Sequence, residues 1–282
     1  MVSLVLARTV IGIIGNIIAL FLFLSPLPTF VTIWKRGSVE QYSPIPYLAT
    51  LVNCLVWVLY GLPVVHPGSI LVITINAAGT LIELVYIILF FVFSDRKKRM
   101  KVLLVLLIEL VFITVLTLLV LFIFHTHSKR SMVVGTICIL FNIGMYASPL
   151  AVMNLLLFSL LILVSFMWFP INQEKLVIKT KSVEYMPLSL SVASFANGVA
   201  WTIYALLPLD PYILIPNGLG TLFGLAQLIL YASFYKSTKL QKEEREGKGQ
   251  VVLSDQLVTN GKECWKNDNI ESGNPRAEVH GA

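Results

Sequence analysis

Asn53-Cys54-Leu55-Val56-Trp57-Val58-Leu59-Tyr60 comes back 144 residues later as Asn197-Gly198-Val199-Ala200-Trp201-Thr202-Ile203-Tyr204, with Asn, Trp and Tyr at the same spacing. Three further blocks recur in the same order. Gly12 with Ser25-Pro26-Leu27 returns as Gly135 with Ser148-Pro149-Leu150, and Ser38-Val39-Glu40 returns as Ser182-Val183-Glu184. Ile75-Asn76 with Gly79-Thr80 is echoed by Pro216-Asn217 with Gly220-Thr221. Four ordered recurrences define two related halves of one chain.

The surroundings of these blocks say where the chain lives. Of 282 residues, 57% are hydrophobic and 13% charged, and the mean hydropathy is +0.83. A soluble core does not have that composition. Runs of about 20 apolar residues cross the hydrocarbon layer as helices, and seven are legible, near 10–33, 45–65, 69–93, 102–124, 132–153, 186–207 and 212–235. The net charge of +6 resides in short Lys/Arg clusters between those runs. No basic face carries interleaved aromatics, which excludes nucleic acid as a partner. Cys54, Cys138 and Cys264 form no metal-ligand or disulfide pattern.

Seven spans put the termini on opposite sides. The loops after the first, third and fifth spans hold Lys35 and Arg36, then Arg96, Lys97, Lys98, Arg99 and Lys101, then Lys175, Lys179 and Lys181. The alternate loops hold Lys129 and Arg130. Basic loops stay in the cytosol, so the N-terminus is expected outside and the C-terminus inside. Residues 236–282 are polar and are expected to form a disordered cytosolic tail. Asp95-Arg96 falls where seven-helix receptors carry an Asp/Arg switch, but their other motifs are absent, and positive-inside charge accounts for the cluster.

The repeat fixes the architecture. The fourth span has no counterpart, and four crossings separate the starts of the two halves, so both halves enter from the same side. The expectation is an all-α membrane protein with seven transmembrane helices arranged as two parallel three-helix bundles joined by a linker helix. The first repeat is residues 1–100, the linker 101–128, the second repeat 129–235 and the tail 236–282.

Gly15 to Pro26, Tyr146-Ala147-Ser148-Pro149-Leu150, Thr180-Lys181-Ser182-Val183-Glu184-Tyr185-Met186-Pro187 and Ile215-Pro216-Asn217-Gly218-Leu219-Gly220 closely resemble the plant SWEET sugar transporters. Those transporters are themselves a known instance of parallel repeats about an axis along the membrane normal. The resemblance covers nearly all of 5–240 except one interval. The Ser-Pro block recurs after 123 residues but the Ser-Val-Glu and Asn/Trp/Tyr blocks after 144, so the second half holds an excess that falls at about 154–174. With the fifth span, the apolar part of that insertion would make a helix of about 57 Å, nearly twice the hydrocarbon thickness. An overlong fifth helix or an interfacial segment is expected rather than an eighth span, because an eighth span would invert the basic loops.

A pyranose is uncharged and rich in hydroxyls. Amides both donate to and accept from it, and its C–H face packs on an aromatic ring. Asn53, Trp57, Asn197 and Trp201 fall four residues apart on one helical face, with Asn76 and Asn217 on the third helix of each half. A single such Asn more commonly bonds a neighbouring helix; a duplicated set beside paired Trp points to a cavity.

The resemblance implies that Asn76 and Asn217 are the paired sugar-binding asparagines and that Trp57 and Trp201 line the pocket. It also marks Leu22, Asn53, Met145 and Asn197 as positions where bulk favours a monosaccharide. Pro26, Pro46, Pro149 and Pro187 match the family's four prolines, where a missing amide weakens the helix for bending. Tyr60 and Asp210 match an extracellular gate, the alternative being an interfacial aromatic and a loop charge.

The function expected is uncoupled, bidirectional movement of a monosaccharide, glucose by preference, with alternating access, no cofactor, no metal and no enzymatic step. Glu83 and Glu109 lie within spans and nominate a proton-coupled transporter as the alternative. Neither is duplicated, and a structural role is expected for Glu83. A non-transporting receptor is the rival from another class. The plasma membrane is the family-based location, with the vacuole or other endomembranes as the alternative. Partners are the sugar and the lipid bilayer, with assembly with itself or with related transporters left open. The insertion is expected to impair transport.

Overall fold

The computed structural model describes residues 2–147 and 187–271. Pro149 and the 154–174 insertion lie outside the described residues, as does the Met145 side chain. The described residues form eight helical segments. They are α1 (Val2–Leu24), α2 (Leu27–Arg36), α3 (Ile45–Gly61), α4 (Ile70–Phe93), α5 (Arg96–Ile123), α6 (His127–Ala147), α7 (Leu188–Ala205) and α8 (Pro211–Glu271). Four stretches among the described residues are long and apolar enough to cross a membrane, Ser3–Arg36, Ile70–Phe93, Arg96–Ile123 and Pro211–Arg245, and Ile45–Gly61 is a shorter apolar helix.

The expected first span is two helices, because Pro26 has no amide to continue the ladder. α1 stops at Leu24, and α2 restarts with Thr29 N–H donating to Pro26 O at 2.9 Å. Gly37 ends α2 at φ 65°, a left-handed cap whose N–H bonds Ile33 O. The Asp95-Arg96 cluster proves to be terminal capping. Asp95 Oδ1 accepts from Lys98 N at 2.9 Å, and Arg99 donates to the last carbonyls of α4, Phe91 O and Val92 O, at 2.9 and 2.7 Å.

The helices close into a ring through pairwise packing of α1 on α4 and α7, α6 on α3 and α8, α3 on α4, and α7 on α8. The third helix of each half lies between the first and second of its own half. Between halves, α1 packs on α7 and α6 on α3, so each first helix packs on the other half's second helix. The linker α5 packs outside on α3, α4 and α6 and turns Leu104, Leu107, Ile108 and Val111 outward, the apolar exterior that lipid requires. Gly135 on α6 is needed for one close approach: a Cβ there would lie 2.4 Å from Tyr212 Cγ on α8.

One boundary differs from the sequence expectation. α8 runs as helix through the point where the polar tail was expected to begin and on to Glu271. Residues 236–245 are rich in helix formers and carry a Lys239–Glu243 pair at i, i+4, 3.9 Å apart, so polarity alone did not break the helix. Two prolines also differ. Pro46 sits in the first turn of α3 and Pro187 at the N-cap of α7, where the missing N–H costs no ladder bond. Pro216, which the sequence reading passed over as a helix breaker, lies inside α8.

Candidate functional site

The ring encloses a cavity of about 140 Å³ lined by Ala19 and Phe23 of α1, Asn53 and Trp57 of α3, Val72, Ile75 and Asn76 of α4, Asn142 of α6, Asn197 and Trp201 of α7, and Ile213 and Asn217 of α8. Six residues expected from the repeat therefore meet in one place: Asn53, Trp57, Asn76, Asn197, Trp201 and Asn217. Leu22 is not in the wall. Ala19 and Phe23 are four apart and share the cavity-facing stripe, and Leu22 lies to one side of it.

The two halves hold their asparagines in matching ways. Asn76 Nδ2 donates to Val72 O at 2.9 Å, and Asn217 Nδ2 donates to Ile213 O at 2.8 Å. Thr80 and Thr221 each donate to the Asn carbonyl one turn earlier at 2.8 Å. Each amide is thereby fixed by its own helix, which leaves a second N–H and the Oδ1 for a ligand. The Oδ1 atoms of Asn53 and Asn197 are buried with no hydrogen-bond partner. The repeat thus buries the same amide oxygen in each half.

Asn142 is the residue that sequence reasoning missed. Its Oδ1 accepts from Trp57 Nε1 at 3.4 Å and tethers one cavity indole to α6. The repeat offset of 123 pairs position 142 with Ala19, so a search that keeps identical pairs discards it. The opposite indole rests against a glycine: a Cβ at Gly15 would lie 3.1 Å from Trp201 Nε1.

Next to the cavity, Trp57 meets Tyr60 edge-on, with ring centroids 5.5 Å apart. Tyr60 and Asp210 are almost fully buried, and the Tyr60 hydroxyl lies 2.9 Å from both Asp210 oxygens. His66 stacks on Tyr60, with ring centroids 4.7 Å apart, and its Nε2 is 3.2 Å from Asp210 Oδ2. Ser131 gives its single hydrogen to Val65 O, so it accepts from His66 Nδ1 at 3.0 Å. His66 thus touches the Asp210 carboxylate through one ring nitrogen and Ser131 through the other. Asp210 also caps α8, accepting from Tyr212 N at 3.1 Å and Ile213 N at 3.3 Å. Burial would push this carboxyl up, but the hydrogen bond and charge of His66, with the Tyr60 hydroxyl and Ile213 amide, outweigh it and hold Asp210 below its ordinary value.

Glu83 and Glu109 are buried and each leaves Oε2 without a partner, yet neither lines the cavity. Among the described residues no group of three or more His, Cys, Asp or Glu could hold a metal ion.

A helix ring around a small amide-and-indole cavity defines a membrane carrier for a small polar solute. Comparison with known proteins gives the family. A family model described as a sugar efflux transporter for intercellular exchange matches residues 9–98 and 154–239. The second match therefore takes in 154–174. Bidirectional sugar transporter SWEET7 of Arabidopsis thaliana is 56% identical over 271 residues, covering 95% of this chain and 97% of the relative. Bidirectional sugar transporter SWEET4 of Oryza sativa subsp. indica is 52% identical over 276 residues, covering 97% and 96%. A solved eukaryotic SWEET transporter superposes with a TM-score of 0.72 at 36% identity, covering 83% of this chain and 99% of that one. The chain belongs to the SWEET family of sugar transporters, which are not enzymes.

Proposed function

We propose that this chain carries a monosaccharide, with glucose as the first candidate, in both directions across the membrane by uncoupled alternating access. The observation that carries the reading is the matched set of cavity asparagines, Asn53, Asn76, Asn197 and Asn217, beside two indoles, with Asn76 and Asn217 each fixed by its own helix. Sugar hydroxyls bond the amide groups that Asn76 and Asn217 leave free, and the C–H faces pack on Trp57 and Trp201. The small volume favours a single ring, since pockets for drug-sized ligands run to roughly 300–1,000 Å³. Neutral ligands and neutral lining residues favour uniport, and Glu83 and Glu109 stand off the wall.

In this reading the Tyr60–Asp210–His66 seal is the closed outer gate, with the N-terminus outside and the basic loops in the cytosol. The chain is in the plasma membrane. Bending at Pro26, where α1 ends and α2 begins, opens the opposite end. The 154–174 insertion lengthens the connection between α6 and α7 and slows transport.

The test is labelled-glucose uptake and efflux in cells lacking hexose carriers, at matched surface level, with and without an imposed pH gradient. Flux in both directions, insensitive to the gradient and abolished in Asn76→Ala/Asn217→Ala, is the expected result. Flux that follows the proton gradient would move the mechanism to Glu83 or Glu109. A faster variant lacking 154–174 supports the role given to the insertion, and equal rates refute it.

A further inference from the structure

The break at Pro26 leaves a carbonyl to be dealt with. In an unbroken helix Phe23 O would accept from the amide four residues on, but α1 has ended and α2 begins at Leu27. Phe23 O is taken by a side chain from another helix: Tyr86 of α4 donates its hydroxyl to it at 3.2 Å. The same Tyr86 ring stacks face to face on Phe30 of α2, with centroids 4.3 Å apart and planes 9° from parallel. Tyr47 of α3 closes this group edge-on to Phe30 at 4.8 Å. One buried residue on α4 therefore grips the chain on both sides of the break, by a polar bond above it and a ring below it.

Phe23 also ties that grip to the cavity. Its ring is part of the cavity wall and lies so close to α4 that a Cβ at Gly79 would sit 2.6 Å from its Cζ. A ligand that pushes on the Phe23 ring thus acts on the residue whose carbonyl Tyr86 holds. In the second half, aligning Asn76 with Asn217 sets Gln227 against Tyr86.

We propose that Tyr86 is a positioning residue that latches the Pro26 hinge and couples the cavity to it through Phe23. The coupling rests on the reading of the cavity as the sugar site; the latch itself does not. When the hydroxyl bond is made, the angle between α1 and α2 is held, and when Phe23 shifts, the bond breaks and α2 is free to swing. A core tyrosine that merely finds a convenient acceptor would leave the hinge angle unaffected.

The experiment uses the full chain in proteoliposomes, comparing the parent with Tyr86→Phe, which keeps the stack and loses the hydroxyl, and Phe30→Leu, which loses the stack and keeps the hydroxyl. The first readout needs no sugar: the rate at which an impermeant maleimide labels a Ser25→Cys reporter at the break, in a Cys264→Ser background, Cys54 and Cys138 being buried. Loss of one hydrogen bond is expected to change that rate roughly three- to tenfold, with Phe30→Leu moving it the same way. The second readout is the ratio of half-saturation constants for labelled-glucose influx and efflux, which a conformational bias moves and a loss of folded protein does not. A shift in both establishes the latch and its coupling. Unchanged labelling in both variants overturns the latch. A changed labelling rate in a chain that carries no glucose leaves the latch standing and removes the glucose reading instead.

Discussion

The two halves of the ring agree at the cavity wall and differ in the contacts beyond it. Trp57 meets Tyr60 at 5.5 Å and 79°, and Trp201 meets Tyr204 at 5.1 Å and 70°. The Asn76 and Asn217 back-bonds differ by 0.1 Å, being 2.9 and 2.8 Å. Beyond that wall the likeness stops. Tyr60 bonds Asp210, whereas Tyr204 lies under the Arg8 guanidinium at 4.3 Å. Trp57 is tethered by Asn142, and Trp201 rests on Gly15. The cavity wall keeps its duplicated residues, whereas the contact of Tyr60 and His66 with Asp210 joins unlike groups from opposite halves, which identical repeats cannot supply.

Four measurements press on that comparison. If the wall is functionally symmetric, Asn76→Ala and Asn217→Ala separately will each cut glucose flux by at least about tenfold, with the two losses within about threefold of each other. A loss confined to one would make the site one-sided. Next, Asp210→Asn removes a charge-assisted partner of Tyr60 and His66, worth about 1.5–3 kcal/mol, and should weaken the seal by roughly tenfold or more. The influx-to-efflux ratio of half-saturation constants reads this, and Tyr204→Phe in the other half should leave it unchanged.

A smaller effect concerns pH. The folded Asp210 carboxyl is depressed, so its stabilisation is fully present above the ordinary aspartate value of about 3.9 and is lost as pH falls through the lower folded value. The gap in unfolding temperature between the parent and Asp210→Asn should hold steady from about pH 7 down to about pH 3.9 and close below it; a gap that already closes near pH 6 contradicts this assignment. Smallest of all, the 3.4 Å tether to Trp57 is a weak bond, and Asn142→Ala should change glucose half-saturation by only about two- to fivefold. Adding Ala19→Asn to that variant sharpens the comparison: recovery means either half can hold the amide, and no recovery means the cavity has a fixed polarity.

Much of this was legible from spacing. Asn53 and Trp57 point the same way because they are four apart on a helix, and duplication singled them out from asparagines that only bridge helices. Leu22 was misjudged because family correspondence names a position, whereas the wall is set by helical phase. The prolines at 46 and 187 were read as bends because a sequence shows that an amide is missing but not whether a helix needed it. Residues 236–271 were read as disordered because polarity removes a core but leaves helix propensity intact.

Sequence alone determined that this is a multi-span helical membrane protein, built twice, with an amide-and-indole pair in each copy. Apolar length and repeat spacing are properties of neighbours along the chain, and lipid leaves few structures that can satisfy the backbone. Only the tertiary structure decided that Asn142 joins the wall, that His66 joins Tyr60 and Asp210, and that Tyr86 takes the Phe23 carbonyl across 63 residues. Those contacts exist because the ring closes first helix on second helix between halves, and no local periodicity encodes which side chains then face one another.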